Sequence, residues 1–378
     1  VLVKLPFSFP TGMENTPVVF HDRPVLVANW RSTNKDDQDQ AYLFIQDLIT
    51  GEELARFGKG FSFVSGFVNG EEMNVFGTEN TNTEWTKDIY RFWSTDLKSW
   101  RQAKVVTRQG DEHLFNTSVC RDNEGFVMAY ESNLPVQWSF RFARSKDLAT
   151  WEPVEGIQFS DLAEQTACAN PTIRYFAPYY YVVYGGWRWK GPGARYEYLL
   201  PETRYTTLVA RSKDLAHWEI SPTRGPMLDP VPGEGINNTD ADLFEYEGRT
   251  YIYYATGDQA TWGTIRVAMY DGPMQQMLEA YFPEYELWNP EWSNWYSDLI
   301  VGFRPSVEAA RFSPWASEIL GDDPTAERFA ELAALALQMP ESGLTPAVQY
   351  RAEPTAIWSS AEPVRRHLAS QDENGLWA

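Results

Sequence analysis

A seven-residue phrase occurs three times in this chain and constrains its fold more than any other feature. Ser94-Thr95-Asp96-Leu97-Lys98-Ser99-Trp100 returns as Ser145-Lys146-Asp147-Leu148-Ala149-Thr150-Trp151 and as Ser212-Lys213-Asp214-Leu215-Ala216-His217-Trp218. Each copy follows a β-like run (Ile89 to Trp93, Phe140 to Ala143, Thr206 to Ala210) and ends it with a polar turn and a tryptophan. Degenerate copies stand at Gln46-Asp47-Leu48 and Tyr270-Asp271-Gly272. The result is five units of roughly fifty residues, the period of four-stranded propeller blades.

The front of each unit repeats as well, as a strand, a tight turn and an aromatic or aliphatic strand. The fifth unit runs Asp242 to Tyr246, turns at Glu247-Gly248 where glycine supplies the positive φ, and continues through Arg249 to Tyr254. The other turns are expected at His21 to Arg23, Asn69-Gly70, Asp122 to Gly125 and Ala177-Pro178. The expected fold is therefore all-β, a five-bladed propeller over residues 1–275 with a partly helical C-terminal extension over 276–378. In that extension Pro324 to Gln338 has helical apolar spacing and dense alanine, and Glu362 to Ala369 is a second candidate helix. These helices would pack on the propeller or on a second subunit.

Composition narrows the partners. The net charge of -20 argues against nucleic acid or an anionic membrane surface, both of which need basic patches. No apolar run is long enough to span a membrane. The chain reads as soluble, with cytoplasm, periplasm and secretion all left open. The 16 Trp, 20 Tyr and 21 Phe suit strands, and flat aromatic faces also stack on sugars. The only two cysteines, Cys120 and Cys168, lack CxxC company, so neither a zinc site nor a redox motif is expected. No HExxH spacing, GxSxG elbow or phosphate loop is present. No cofactor is called for, although a structural calcium ion in the channel is left open.

The S-x-D-L-x-x-W blade ending and the Gly-turn aromatic strands resemble the five-bladed propeller glycoside hydrolases, the superfamily of families 32, 43, 62, 68 and 117. The resemblance covers about residues 10 to 275. It implies a central acidic pocket that binds a sugar. It also implies an Asp in blade one, an Asp in blade three and a Glu in blade four, all on the innermost strands. Aligning the hairpins puts Asn15, Ser62, Asn116, Asn170 and Asp240 just before those strands. Only the last is an acid, Glu14 is an acidic neighbour of the first, and blade four reads Cys168-Ala169-Asn170-Pro171. The chain is thus expected to be a divergent branch.

Hydrolysis of a glycoside needs two carboxyl groups flanking the bond, one protonated and one ionised. In a propeller, the starts of the innermost strands and the loops joining second to third strands share one face. The starts supply Glu14, Glu112, His113, Asn116, Asn170, Asp240 and Asp242. The loops supply Arg31, Glu79, Glu131, Trp187, Trp189, Asp258, Gln259 and Trp262. Glu79, Glu131 and Asp258 are read as equivalent positions in blades two, three and five. For each of them a solvated loop charge is the alternative. Strand period would aim Asp240 and Asp242 to one side, where two like charges raise one pKa. The alternatives for that cluster are a turn or a bound cation. His113 is either a functional acid or a structural histidine. The long loop Gly185 to Arg204 forms either a pocket wall or a subunit contact.

The reading that follows is an exo-acting glycoside hydrolase on an oligo- or polysaccharide. Glu14, Glu131 and Asp240 are its candidate acid and base groups. Arg31, Glu79, His113, Asn116, Asn170, Trp187, Asp242, Asp258, Gln259 and Trp262 would contact substrate. The alternatives are a carbohydrate-binding propeller without catalysis and a subunit of a larger assembly, in which the C-terminal helices are the interface.

Overall fold

The structure, a computed structural model, describes residues 2–9, 12–32, 35–81, 86–134, 139–159, 168–188, 204–221, 226–258 and 263–282. The expected helices at 324–338 and 362–369, and with them nearly all of the extension, lie outside the described residues. Strand β1 (Leu2–Phe9) comes first. Blade I follows as β2 (Asn15–Phe20), β3 (Arg23–Trp30), β4 (Tyr42–Asp47) and β5 (Glu53–Phe57). Blade II is β6 (Phe61–Asn69), β7 (Glu72–Glu79), β8 (Ile89–Ser94) and β9 (Arg101–Val106). Blade III is β10 (Leu114–Arg121), β11 (Phe126–Ser132), β12 (Ser139–Ser145) and β13 (Glu152–Phe159). Blade IV is β14 (Ala169–Phe176), β15 (Tyr179–Arg188), β16 (Arg204–Ser212) and β17 (Trp218–Ile220). Blade V is β18 (Thr239–Tyr246), β19 (Arg249–Ala255) and β20 (Ile265–Tyr270), followed by helix α1 (Met274–Glu279).

Each blade is an antiparallel four-stranded meander. Blade V obtains its outer strand from the N-terminus, with β1 pairing β20 from Leu2↔Tyr270 to Phe9↔Ile265, and this closes the ring. Side chains alternate across β1 as strand geometry requires. Leu2 packs into the blade IV–V core, while Val3 and Leu5 enter the blade V–I core. The hydrophobic core is five wedges, one between each pair of neighbouring blades, and α1 completes the IV–V wedge with Met274, Met277 and Leu278.

The recurring phrase proves to be the turn from third to fourth strand. In blade II the Ser94 hydroxyl accepts the Asp96 and Leu97 amides, and Asp96 Oδ1 accepts the Lys98 and Ser99 amides. Trp100 Nε1 donates to the Leu97 carbonyl at 3.1 Å. Blades III and IV repeat every one of these bonds. The leucine at the centre adopts positive φ in all three, +58°, +63° and +66° at Leu97, Leu148 and Leu215. The side-chain bonds to the backbone hold that uncommon geometry in place. In blade I Asp47 takes the same role towards Ile49 and Thr50, with Gly51 in place of the tryptophan.

Lys4 locks the ring closure. Its ammonium is buried and donates to Glu234, to the Asp229 carbonyl at 2.9 Å and to Asn238 Oδ1 at 2.5 Å. Glu234 also accepts the Tyr254 hydroxyl at 2.7 Å. Burial lowers the Lys4 pKa, against the pull of Glu234. The clamp fixes the segment 226–238, which lies against β16 and delivers the chain into β18. Cys120 and Cys168 are both buried in the III–IV core, and burial pushes the Cys120 thiol up to about 12.

Candidate active site

Counting back from the hairpin ends aligns Thr16, Ser65, Thr117, Thr172 and Asp242 as one layer of the central channel. Two residues earlier stand Glu14, Phe63, Phe115, Asn170 and Asp240. This corrects the hairpin alignment made from sequence, which puts Asn15, Ser62 and Asn116 there. The reason is local. Four of the five innermost strands begin with a bulge, between Ser62/Ser65, Leu114/Thr117, Ala169/Thr172 and Thr239/Asp242. Blade I has none. Phe63, Asn170 and Asp240 take positive φ, +55°, +58° and +52°, and a bulge of this kind re-aims the side chains it carries.

Three carboxyl groups converge around this layer. Glu14 of blade I, Glu131 of β11 and Asp240 of blade V are all buried. Glu14 Oε1 is salt-bridged to Arg31 at 2.8 Å, and its Oε2 accepts Asn29 Nδ2 at 3.2 Å. The Arg31 guanidinium lies 4.1 Å from the centre of the Phe63 ring, which holds it by cation–π attraction. Asn29 is a residue that sequence reasoning misses. Its Oδ1 accepts the Val64 amide at 3.3 Å, so it ties the blade I acid to the blade II bulge.

Glu131 Oε2 accepts two donors, the Asn170 amide at 2.8 Å and Asn116 Nδ2 at 3.1 Å. Its Oε1 makes no hydrogen bond among the described residues. Burial pushes the Glu131 pKa up to about 7, against those two donors, and the Glu14 charge adds to the rise. Asp240 is pushed up further, to about 8, first by burial and then by Glu14, with the Thr239 hydroxyl and Arg31 opposing. Asp240 Oδ1 accepts Asn170 Nδ2. Thr239 Oγ1 lies 2.9 Å from Asp240 Oδ2 and 2.8 Å from Asn237 Oδ1. A hydroxyl owns one proton. The Thr239 proton therefore serves Asp240 or Asn237 but not both, and it is burial that favours a neutral Asp240.

Several expected contacts lie elsewhere. Asp242 is not in regular strand period with Asp240, because the bulge between Thr239 and Asp242 interrupts it. It is salt-bridged to Arg174, whose guanidinium also reaches the Leu243 carbonyl at 2.7 Å. After burial, the charges that raise Asp240 are those of Glu14 and Glu131. Glu79, Glu131 and Asp258 are not equivalent. Register makes Gly77 of blade II and Tyr254 of blade V the equivalents of Glu131, all within the sheet. Glu79 ends β7 two residues later, and Asp258 is exposed past the end of β19. Glu112 pairs with Arg141 and Ser132. His113 Nδ1 meets the Thr86 hydroxyl at 2.8 Å. Trp187 belongs to β15, paired with Tyr205, and nothing further is described of its side chain. Trp189, Gln259 and Trp262 lie outside the described residues.

Comparison by sequence returns nothing: no family model and no curated protein matches the chain. Solved structures match by shape. A protein of Parabacteroides distasonis assigned to the glycoside hydrolases shares 14% identity at a TM-score of 0.52, covering 72% of this chain and 94% of its own. A thermostable family-43 glycoside hydrolase shares 13% identity at a TM-score of 0.50, covering 71% and 91%. A Bombyx mori GH32 β-fructofuranosidase in complex with sucrose shares 14% at 0.50, covering 70% and 61%.

The fold is that of the five-bladed propeller glycoside hydrolases.

Within that fold this chain places its acids unusually. The layer that the resemblance would fill with three acids holds two, Glu14 and Asp240, together with the amide Asn170. The third acid, Glu131, comes from the second strand of blade III, above a Phe115 that occupies the inner position. For a calcium ion in the channel, the layer below the acids offers, among the described residues, one hydroxyl without a hydrogen-bond partner, Thr16 Oγ1. Ser65 and Thr117 bond each other at 2.6 Å, Thr172 bonds the Ala241 carbonyl at 2.8 Å, and Asp242 is paired with Arg174. A cavity of about 360 Å³ opens at the other end of the channel, between Val18, Phe67, Val119, Arg174 and Phe244, and contains none of the three acids.

Proposed function

We propose that the protein is an exo-acting glycoside hydrolase in which Glu131 is the proton donor and Glu14 the base or nucleophile. The observation that carries this reading is Glu131 itself. It is buried, has one oxygen pinned by two N–H donors and the other unbonded among the described residues, and is raised to about 7. A general acid needs a pKa near the working pH and an oriented oxygen. Glu131 Oε1–H would give its proton to the glycosidic oxygen as the C–O bond breaks. Glu14, paired with Arg31, would assist the attack of water, directly or through a glycosyl intermediate. Asp240 would act as a neutral hydrogen-bonding group that positions Asn170 and, through it, the Glu131 carboxyl.

Exo action is supported by the layer beneath the acids. Ser65 and Thr117, bonded to each other, Thr172, bonded to the Ala241 carbonyl, and Asp242, paired with Arg174, would narrow the channel there, so that a sugar chain would enter from one side and present its end. The test is a release screen of aryl glycosides and plant and algal oligosaccharides. One monosaccharide freed from chain ends, and lost in Glu131→Gln, is the expected result. Mixed oligomers from internal cleavage would contradict exo action. Sugar binding without release from any substrate would instead favour a binding propeller, the reading to which Asn170 in the blade IV position points.

A further inference from the structure

Among the described residues only three large apolar side chains are markedly exposed: Trp30, Ile49 and Leu134. Trp30 is the one beside the candidate site. It ends β3, between Asn29 and Arg31, which both hold Glu14. Its ring is 39% exposed yet not loose. It stacks on Tyr42, its cross-strand partner, with centroids 5.5 Å apart and planes at 18°. Tyr42 is backed in turn by the Arg56 guanidinium at 4.3 Å, which Glu53 holds by two hydrogen bonds.

The same face of blade I, one step lower, is core. Leu26, Ala28 and Phe44 pack there against Phe244, Tyr253 and Ile265 of blade V. Trp30 and Tyr42 thus stand at the upper end of the seam between blades I and V. Glu14 and Asp240 flank that seam, joined by Asn15 Nδ2 donating to the Asp240 carbonyl at 3.2 Å. A chain leaving the acids along this seam passes over the Trp30 ring. An indole held flat by a tyrosine and a guanidinium, with surface open to water, suits the apolar C–H face of a sugar ring.

We infer that Trp30, supported by Tyr42, is a second sugar-binding subsite at the pocket rim, holding the part of an oligosaccharide that remains outside the acids. The inference rests on the glycosidase reading for its direction, and it makes the substrate a chain of several sugars and not a disaccharide or small glycoside.

Full-length wild type, Trp30→Ala and Trp30→Phe are compared on the 4-nitrophenyl glycoside and on the tetrasaccharide of the sugar that the release screen identifies. Affinity electrophoresis through gels of soluble arabinan, xylan and inulin adds a readout that needs no turnover. The expected result is that Trp30→Ala lowers kcat/KM for the tetrasaccharide relative to the aryl glycoside by roughly three- to tenfold, through KM. Trp30→Phe restores part of that loss, and gel retardation weakens in the same order. Equal loss on both substrates, or no loss on either, overturns the inference. So does conversion of a wild-type dimer to a monomer by Trp30→Ala, which would make the ring a protein contact. If nothing is hydrolysed but wild type is retarded and Trp30→Ala is not, the subsite stands and the hydrolase reading falls. No retardation and no turnover in any gel or assay overturns both.

Discussion

Aspartate appears in two settings in this propeller, and they behave in opposite ways. In the blade-ending turns Asp96, Asp147 and Asp214 face solvent and collect hydrogen bonds. The Ser99 and Lys98 amides hold Asp96 down at about 2, the Thr150 and Ala149 amides lower Asp147, and His217, by ring and amide, lowers Asp214. Around the channel mouth Asp240 and Glu131 are out of water and beside Glu14, and they are raised. The difference is one of solvation and neighbours and not of residue type. Turn aspartates build the fold in their charged form. The mouth carboxyls oppose the folded state when charged, which is the situation expected of groups kept for chemistry.

The sharpest way to break that contrast is to remove the chemistry and keep the fold. Glu131→Gln should cut turnover about 10²–10⁴-fold while the chain stays folded. Loss of the fold would show that Glu131 is structural, like the turn aspartates. Next in size, Lys4→Met should destabilise the protein by about 3–5 kcal/mol in denaturant titration, because Glu234 and Asn238 lose their buried cation. An unchanged midpoint would mean that the ring closes without this clamp. Trp151→Ala should cost about 3 kcal/mol by the same measurement, since this ring is buried, meets Phe76 edge-on at 5.9 Å and bonds the Leu148 carbonyl at 3.0 Å.

The smallest effect is in pH. Glu131 and Asp240 have folded pKa values above their ordinary 4.5 and 3.8. Their contribution to stability is therefore complete below those values and is lost as pH rises through about 7 and 8. The turn aspartates are lowered, so their contribution is present above 3.8 and is lost as pH falls through about 2 at Asp96. Glu131→Gln should accordingly gain in Tm against wild type on moving from about pH 5 to about pH 9, whereas Asp147→Asn should lose against wild type throughout that range. Parallel Tm curves for the two variants would erase the distinction.

The two regions also differ in how far the sequence reveals them. The turns repeat because five blades need the same backbone path, so Ser, Asp, Leu and Trp recur at fixed spacing and the propeller can be read from them. The hairpins at Asn69-Gly70, Asp122 to Gly125 and Glu247-Gly248 are legible for the same reason. The site depends on departures from the repeat. Glu14, Glu131 and Asp240 can be picked out as acids at strand ends, but the bulges that carry Asp240, Asn170 and Phe63 leave no sequence signal. Strand period alone therefore groups Asp242 with Asp240 and Phe63 with nothing. Asn29 leaves a faint mark, a polar residue closing the aliphatic run Val25 to Ala28. The Lys4 clamp leaves none, because it joins residues more than two hundred positions apart.

The central claim is that Glu131 delivers a proton to the leaving group. The most direct test is the ratio of turnover by Glu131→Gln and wild type on glycosides whose leaving groups differ in acidity. A dinitrophenolate departs without a proton, whereas a sugar hydroxyl does not. The account predicts that Glu131→Gln keeps most of its activity on the dinitrophenyl glycoside, loses it on the natural linkage, and loses the decline of activity above about pH 7. An equal loss on both leaving groups, with the alkaline decline still present, would contradict it and remove Glu131 from the role of acid.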